Sequence, residues 1–235
     1  MSARDAGWTT ACALLLSLTI ITDARAQVYL GSTDSPQRGS FEVSGGVVYA
    51  GGFSLGDLPA ELTNNNGNNV PGFTLFTADT RVKPAIGVQG RAGFYLSRSI
   101  SFEAGVQYSR PVVATELSGD AEEADELTAE ETMNRYIIDG SLLFHLQPLA
   151  FGSGRGMPFI AVGAGYLREL HEGNELVETG TEYHAGVGIK FWLTQGSSRI
   201  GIRGDVGVSV RDGGFDFEDK RRMLPTAGAS LVYLF

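Results

Sequence analysis

From Ser40 to the last residue, the chain alternates apolar and polar side chains with a period of two. This is the pattern of strands with one oily face and one wet face. Phe41, Val43, Gly45, Val47 and Tyr49 share one parity, against Glu42, Ser44, Gly46 and Val48. The next run sets Ile86, Val88, Gly90, Ala92 and Phe94 against Gln89, Arg91 and Gly93. A third sets Ile100, Phe102, Ala104, Val106 and Tyr108 against Ser101, Glu103, Gly105, Gln107 and Ser109. The fourth has Tyr136, Ile138, Gly140, Leu142 and Phe144 opposed by Arg135, Asp139, Ser141 and His145. Pro158 to Arg168 is apolar or small on both parities, so its faces stay open. The sixth carries Tyr183, Ala185, Val187, Ile189 and Phe191 against Glu182, His184, Gly186, Gly188 and Lys190. The seventh runs through Ile200, Ile202, Gly204, Val206, Val208 and Val210, with Arg203, Asp205 and Ser209 opposed. The last has Ala227, Ala229, Leu231, Tyr233 and Phe235 against Thr226, Gly228 and Ser230.

Each run is near the length of about 9–11 residues that a tilted strand needs to cross a hydrocarbon layer. Pro84 cannot donate to a ladder, so the second strand starts after it. The connections alternate in length. Ser54 to Arg81, Pro111 to Thr132, Glu169 to Thr181 and Arg211 to Leu224 are long; Ser97 to Ser99 and Gln195 to Ser198 are tight, with Gln147 to Gly156 between. Outer-membrane barrels have short periplasmic turns and longer external loops. Apolar-face aromatics also gather near strand ends. Phe41, Phe94, Phe102, Phe144, Phe191, Tyr233 and Phe235 fall on the short-turn side, Tyr49, Tyr108, Tyr136 and Tyr183 on the other. Two aromatic girdles bracketing an aliphatic belt fit lipid better than a soluble core. The expected architecture is all-β: an eight-stranded antiparallel up-and-down transmembrane β-barrel over residues 40–235, with both termini periplasmic.

The start of the chain reads differently. Arg4 precedes an apolar stretch from Ala11 to Ile21, and Ala24-Arg25-Ala26 precedes Gln27. This predicts a cleavable signal peptide over residues 1–26 and a short periplasmic lead over 27–39. The alternative, an N-terminal anchor, asks for about 20 apolar residues. Cys12 is the only Cys and lies in that segment, so no disulfide or thiol chemistry is expected of the exported chain. Thr9-Thr10-Ala11 fits a lipoprotein acylation signal poorly. The 235 residues include 32 Gly, 19% are charged and 43% hydrophobic, and the net charge is −9. That charge argues against nucleic acid as a partner.

At this point the chain resembles the small outer-membrane β-barrel family of OmpA-like and OmpX-like proteins. The Gly-rich segment Pro158-Phe159-Ile160-Ala161-Val162-Gly163-Ala164-Gly165-Tyr166 carries part of the likeness, and the last strand with Tyr233 and terminal Phe235 carries the rest. The resemblance implies that the last strand is read by the barrel-insertion machinery. It also implies contact with outer-membrane lipid and lipopolysaccharide, and a monomer.

The inward parity collects charges of both signs. Lys83, Arg91, Arg135, Lys190 and Arg203 are expected in the lumen with Glu42, Glu103, Asp139, Glu182 and Asp205. Arg91 and Glu103 flank a tight turn and are expected to face each other. An eight-stranded barrel is only wide enough for side chains to fill it, and buried charges must pair. The expectation is a salt-bridge plug; a gated small-ion channel is the alternative. A lipid A acyl enzyme would need a Ser, a His and an orienting acid near the membrane interface. His145 and His184 are expected to point inward, away from acyl chains, so an enzyme is not expected, nor any cofactor or metal. The acidic run from Gly119 to Glu126, continued by Glu130 and Glu131, lacks the Gly-spaced pattern of a calcium loop. Asn64 to Asn69 is low-complexity. Lys220, Arg221 and Arg222 suit lipopolysaccharide phosphates and, equally, ordinary solvation. The function expected is structural or surface interaction through external loops, whose ligand the residues do not name.

Overall fold

The computed structural model describes residues 36–62, 73–118, 127–171, 176–196, 198–215 and 220–235. The expected signal peptide, Asn64 to Asn69 and Gly119 to Glu126 lie outside them. Among the described residues twelve strands form. They are β1 (Phe41–Ala50), β2 (Phe53–Leu62), β3 (Phe73–Val82), β4 (Ala85–Tyr95), β5 (Ile100–Ser109) and β6 (Val112–Ser118). Then follow β7 (Leu127–Thr132), β8 (Asn134–His145), β9 (Gly156–Leu170), β10 (Val177–Trp192), β11 (Arg199–Gly213) and β12 (Arg222–Leu234).

Eight of these close an antiparallel barrel in the order β1-β12-β11-β10-β9-β8-β5-β4. The eight are the alternating runs, and the second of them starts at Ala85, just after Pro84. Closure comes from β12 pairing back to β1, with Tyr233 opposite Val43 and Ala227 opposite Tyr49. Phe41 and Phe235 exchange both backbone hydrogen bonds, at 3.0 and 2.9 Å. The Phe41 ring packs on Phe94 and Phe235, at centroid distances of 4.9 and 6.1 Å. The seam is thus zipped by aromatics at the end where the tight turns lie.

The apolar parity faces outward throughout. Ile86, Val88, Val106, Ile138, Val187, Val206 and Leu231 are all exposed on the outer wall. The strand whose faces the sequence left open is settled: Ile160, Val162 and Tyr166 are exposed, whereas Phe159, Ala161 and Leu167 are buried. Strands β9 to β12 have 15, 16, 15 and 13 residues. That exceeds the about 9–11 needed to cross a hydrocarbon layer, so their far ends stand beyond any such layer.

The first two long connections are not loops, which corrects the sequence expectation. They hold a second antiparallel sheet, ordered β2-β3-β6-β7. Each of its strands continues a barrel strand across a break. Gly51 and Gly52 separate β1 from β2, and Lys83-Pro84 separate β3 from β4. Arg110-Pro111 separate β5 from β6, and Met133 separates β7 from β8. Proline marks two of these four breaks, Pro84 and Pro111, where it has no N–H to donate to the ladder. Gly52 is needed because a Cβ there would lie 2.4 Å from the Val82 carbonyl oxygen. The ladder resumes past the breaks, with Lys83 N–H donating to Val112 O at 2.8 Å and Met133 N–H to Pro111 O at 3.0 Å. Where the sheet leaves the barrel, Leu55, Val82, Val113 and Met133 form a buried apolar cluster with Phe53 and Phe215 against it.

Candidate functional site

The barrel interior holds its charges in three levels. Nearest the tight turns, Lys190 Nζ lies 2.6 Å from Glu42 Oε1 and 3.0 Å from Glu103 Oε1. Arg203 bonds Glu103 Oε2 at 2.6 Å and Asp205 Oδ1 at 2.7 Å. Tyr95 donates its hydroxyl to Glu42 Oε2 at 2.8 Å. Lys190 and Arg203 both sit over the Phe159 ring, at 5.7 and 4.7 Å. Below them Tyr95, Trp192, Val232 and Leu234 make a buried apolar floor.

At mid-height Arg91 Nη1 pairs with Asp139 Oδ1 at 2.8 Å, and Gln107 donates to Asp139 Oδ2 at 3.1 Å. Nearest the second sheet, Arg135 pairs with Glu169 at 2.5 Å and Arg211 with Glu182 at 2.7 Å. The second oxygen of Glu169 accepts the Phe215 N–H at 2.7 Å. Every one of these arginines therefore meets a carboxylate. Burying them unpaired would cost far more than the pairs return.

Between the levels lies a cavity of about 60 Å³ lined by Arg91, Gln107, Ser141, Glu182, His184 and Arg203, among others. That is room for a few waters, at roughly 10–15 Å³ each. Inward glycines make space for the long side chains. Gly163 is one such case, since a Cβ there would lie 2.4 Å from Gly140 O and 2.5 Å from His184 Nε2. Gly163→Val is expected to destabilise the barrel by about 1–3 kcal/mol, the range for overpacking. Urea unfolding of the refolded variant checks this.

Two sequence expectations for the lumen are corrected. Lys83 is not inside. It follows β3 at the second sheet, is partly exposed, and pairs with Glu130 at 2.6 Å. Arg91 does not face Glu103. The β4–β5 register sets Arg91 opposite Gly105 and Glu103 opposite Gly93. A pairing two residues away from the expected one keeps both side chains inside but gives each a new partner. The sequence reading did not single out Tyr95, Glu169 or Arg211. The sequence pattern puts Glu169 and Arg211 in connections, because β9 and β11 outrun the expected strand length.

Both inward histidines touch serines. His145 Nε2 is 2.9 Å from Ser101 Oγ, and His184 Nε2 is 2.8 Å from Ser141 Oγ. The other ring nitrogen of each has no partner among the described residues. A hydrolytic triad needs an acid on that nitrogen, so neither pair has that geometry. The Lys220-Arg221-Arg222 triplet is divided. Arg221 pairs with Asp212 at 2.9 Å, and Arg222 lies over the Phe53 ring at 5.7 Å.

Neither a family model nor a curated protein matches the chain. Among solved structures it is similar to the outer membrane protein OprG from Pseudomonas aeruginosa, at 9% identity and a TM-score of 0.48, over 86% of this chain and 98% of that one. It is also similar to the outer membrane protein AlkL, solved by solid-state NMR in DMPC lipid bilayers, at 17% identity and a TM-score of 0.37, over 88% of this chain and 95% of that one. The barrel itself rests on the closed strand register above, independently of these likenesses.

Proposed function

We propose that the chain is an outer-membrane β-barrel protein that holds a surface-interaction sheet outside the bilayer, on a barrel closed to ions by its own salt bridges. The observation that carries this reading is the pairing of two features on one chain. An outward wall of exposed Val, Ile and Leu encloses an interior of paired charges, the inside-out arrangement that lipid rewards. In this reading both termini are periplasmic, and β2, β3, β6 and β7 project on the external side. The chain acts as a monomer, and the aromatic seam around Tyr233 and Phe235 also serves the barrel-insertion machinery. Lipopolysaccharide phosphates meet Lys220 at the rim of β12, with Arg221 held by Asp212 and Arg222 turned toward Phe53.

The plug is supported by distances: three stacked levels of ion pairs leave a cavity no larger than a few waters. Ions crossing would have to break several of these pairs in sequence. Refolded protein in a planar bilayer is expected to give no steady conductance steps. Reproducible steps of fixed size would overturn the plug and favour a narrow channel for small ions or solutes.

A further inference from the structure

We propose that Arg168, with the tyrosines beside it on the outer wall, binds the phosphate of an anionic lipid headgroup in the leaflet nearest the second sheet. The proposal rests on the lipid-embedded reading above. Arg168 lies on β9 with the same parity as Ile160, Val162 and Tyr166, and like them it is exposed on the outward face. The register places Tyr136 directly opposite it on β8 and Thr179 directly opposite on β10. Tyr108 stands opposite Tyr136 in turn, and their rings are 5.1 Å apart. Tyr166 is the next outward residue on the same strand, toward the belt. The guanidinium thus leaves the wall at the level of the tyrosine girdle, where hydrocarbon gives way to headgroups.

Its chemistry sets it apart from the other arginines of the barrel strands. Arg91, Arg135, Arg203 and Arg211 each hold a carboxylate inside the barrel. At the outer rim, Arg221 is matched by Asp212. Arg168 makes no ion pair, hydrogen bond or ring contact among the described residues. An unpaired cation facing hydrocarbon is expensive, but one at the boundary can lay its stem along apolar wall and lift its head into the headgroups. There the planar guanidinium meets a phosphate with two parallel N–H···O bonds. A carboxylate partner on a neighbouring strand would have cancelled that attraction. The positions flanking Arg168 are Tyr136 and Thr179, which carry none.

The test uses the full chain refolded in micelles doped with phosphatidic acid or with phosphatidylcholine, with retained lipid counted by native mass spectrometry. Wild type is expected to retain phosphatidic acid over phosphatidylcholine. Arg168→Gln is expected to reduce that retention about fivefold, the factor one cation near an anionic surface carries. Arg168→Lys is expected to fall between, keeping the charge but losing the fork. Arg81→Gln, which removes a cation paired to Glu116 on the second sheet, is expected to leave retention unchanged. Equal retention by Arg168→Gln and wild type, with both still migrating as heat-modifiable barrels on gels, would overturn the site alone. A wild-type chain whose migration does not change on boiling would overturn the lipid-embedded reading, and the site with it.

Discussion

Lys190→Met is expected to lower the unfolding free energy by about 3–5 kcal/mol, read by urea titration of the barrel refolded in phospholipid vesicles. Lys190 is the hub of the deepest charge level. Its ammonium touches Glu42 and Glu103 and lies 3.4 Å from the Tyr95 hydroxyl. Its side chain is 1% exposed, and those of Glu42 and Glu103 are 2% and 1% exposed. Methionine fills a similar volume, so packing changes little and the loss is electrostatic. Glu103 keeps Arg203, but among the described residues Glu42 is left with only the Tyr95 hydroxyl against its charge. A buried carboxylate stripped of its cation is the costly case, whereas removing both charges together is far milder. Adding Glu42→Gln to Lys190→Met is therefore expected to recover a good part of the loss. A cost under about 1 kcal/mol for the single variant would mean that water already reaches these carboxylates. The lumen would then be open, and the plug would fail with it.

The barrel was legible because its signal is geometric. Alternation fixes which side chains point in, and a break in alternation, as at Pro84, fixes where a strand starts. Parity alone thus put Glu42, Glu103, Arg135, Asp139, Glu182, Lys190 and Arg203 inside, where the structure has them. Partners were a different matter. The reading centred the β4–β5 turn one residue early, which moved the pairing by two and matched Arg91 with the wrong residue. No face changes under such a slip, so hydrophobic pattern cannot detect it.

The second sheet left a weaker trace for a physical reason. On the lipid-embedded reading its strands answer to no hydrocarbon layer, so nothing forces a continuous oily parity on them. Strand β2 carries Gly56, Asp57 and Pro59 within ten residues, and its pairing with β3 is interrupted by two register shifts. Strand β7 is six residues long and reads as part of an acidic run. Gly, Pro and Asp are the residues that usually mark loops. These strands form because β1, β4, β5 and β8 already hold their roots in register, so each hairpin starts from a paired end and loses little entropy in closing. The strand contacts are inherited from the barrel, and sequence windows of ten residues do not contain that information.

Val187→Arg is expected to destabilise the refolded barrel by about 2–4 kcal/mol, while Thr181→Arg on the same strand costs about 1 kcal/mol or less. Both residues share the outward parity of β10, and Val187 is exposed. Val187 lies midway between Tyr183 and Phe191, the aromatic pair that brackets the strand's apolar stretch. Those two are separated by about 27 Å along the strand at about 3.4 Å per residue. A tilt of about 40° leaves about 21 Å of height, close to the about 25 Å apolar band of outer-membrane barrels. Thr181 lies beyond Tyr183, where an arginine can reach headgroups. The contrast between the two positions is diagnostic. On a water-exposed wall neither substitution should cost more than a few tenths of a kcal/mol. In a protein core both should be severe. Only a lipid layer of this thickness makes the penalty depend on height along a strand whose outward residues are all open to the surroundings. Urea unfolding in vesicles of both variants, side by side, measures that gradient. A flat result would remove the bilayer from the account of this fold.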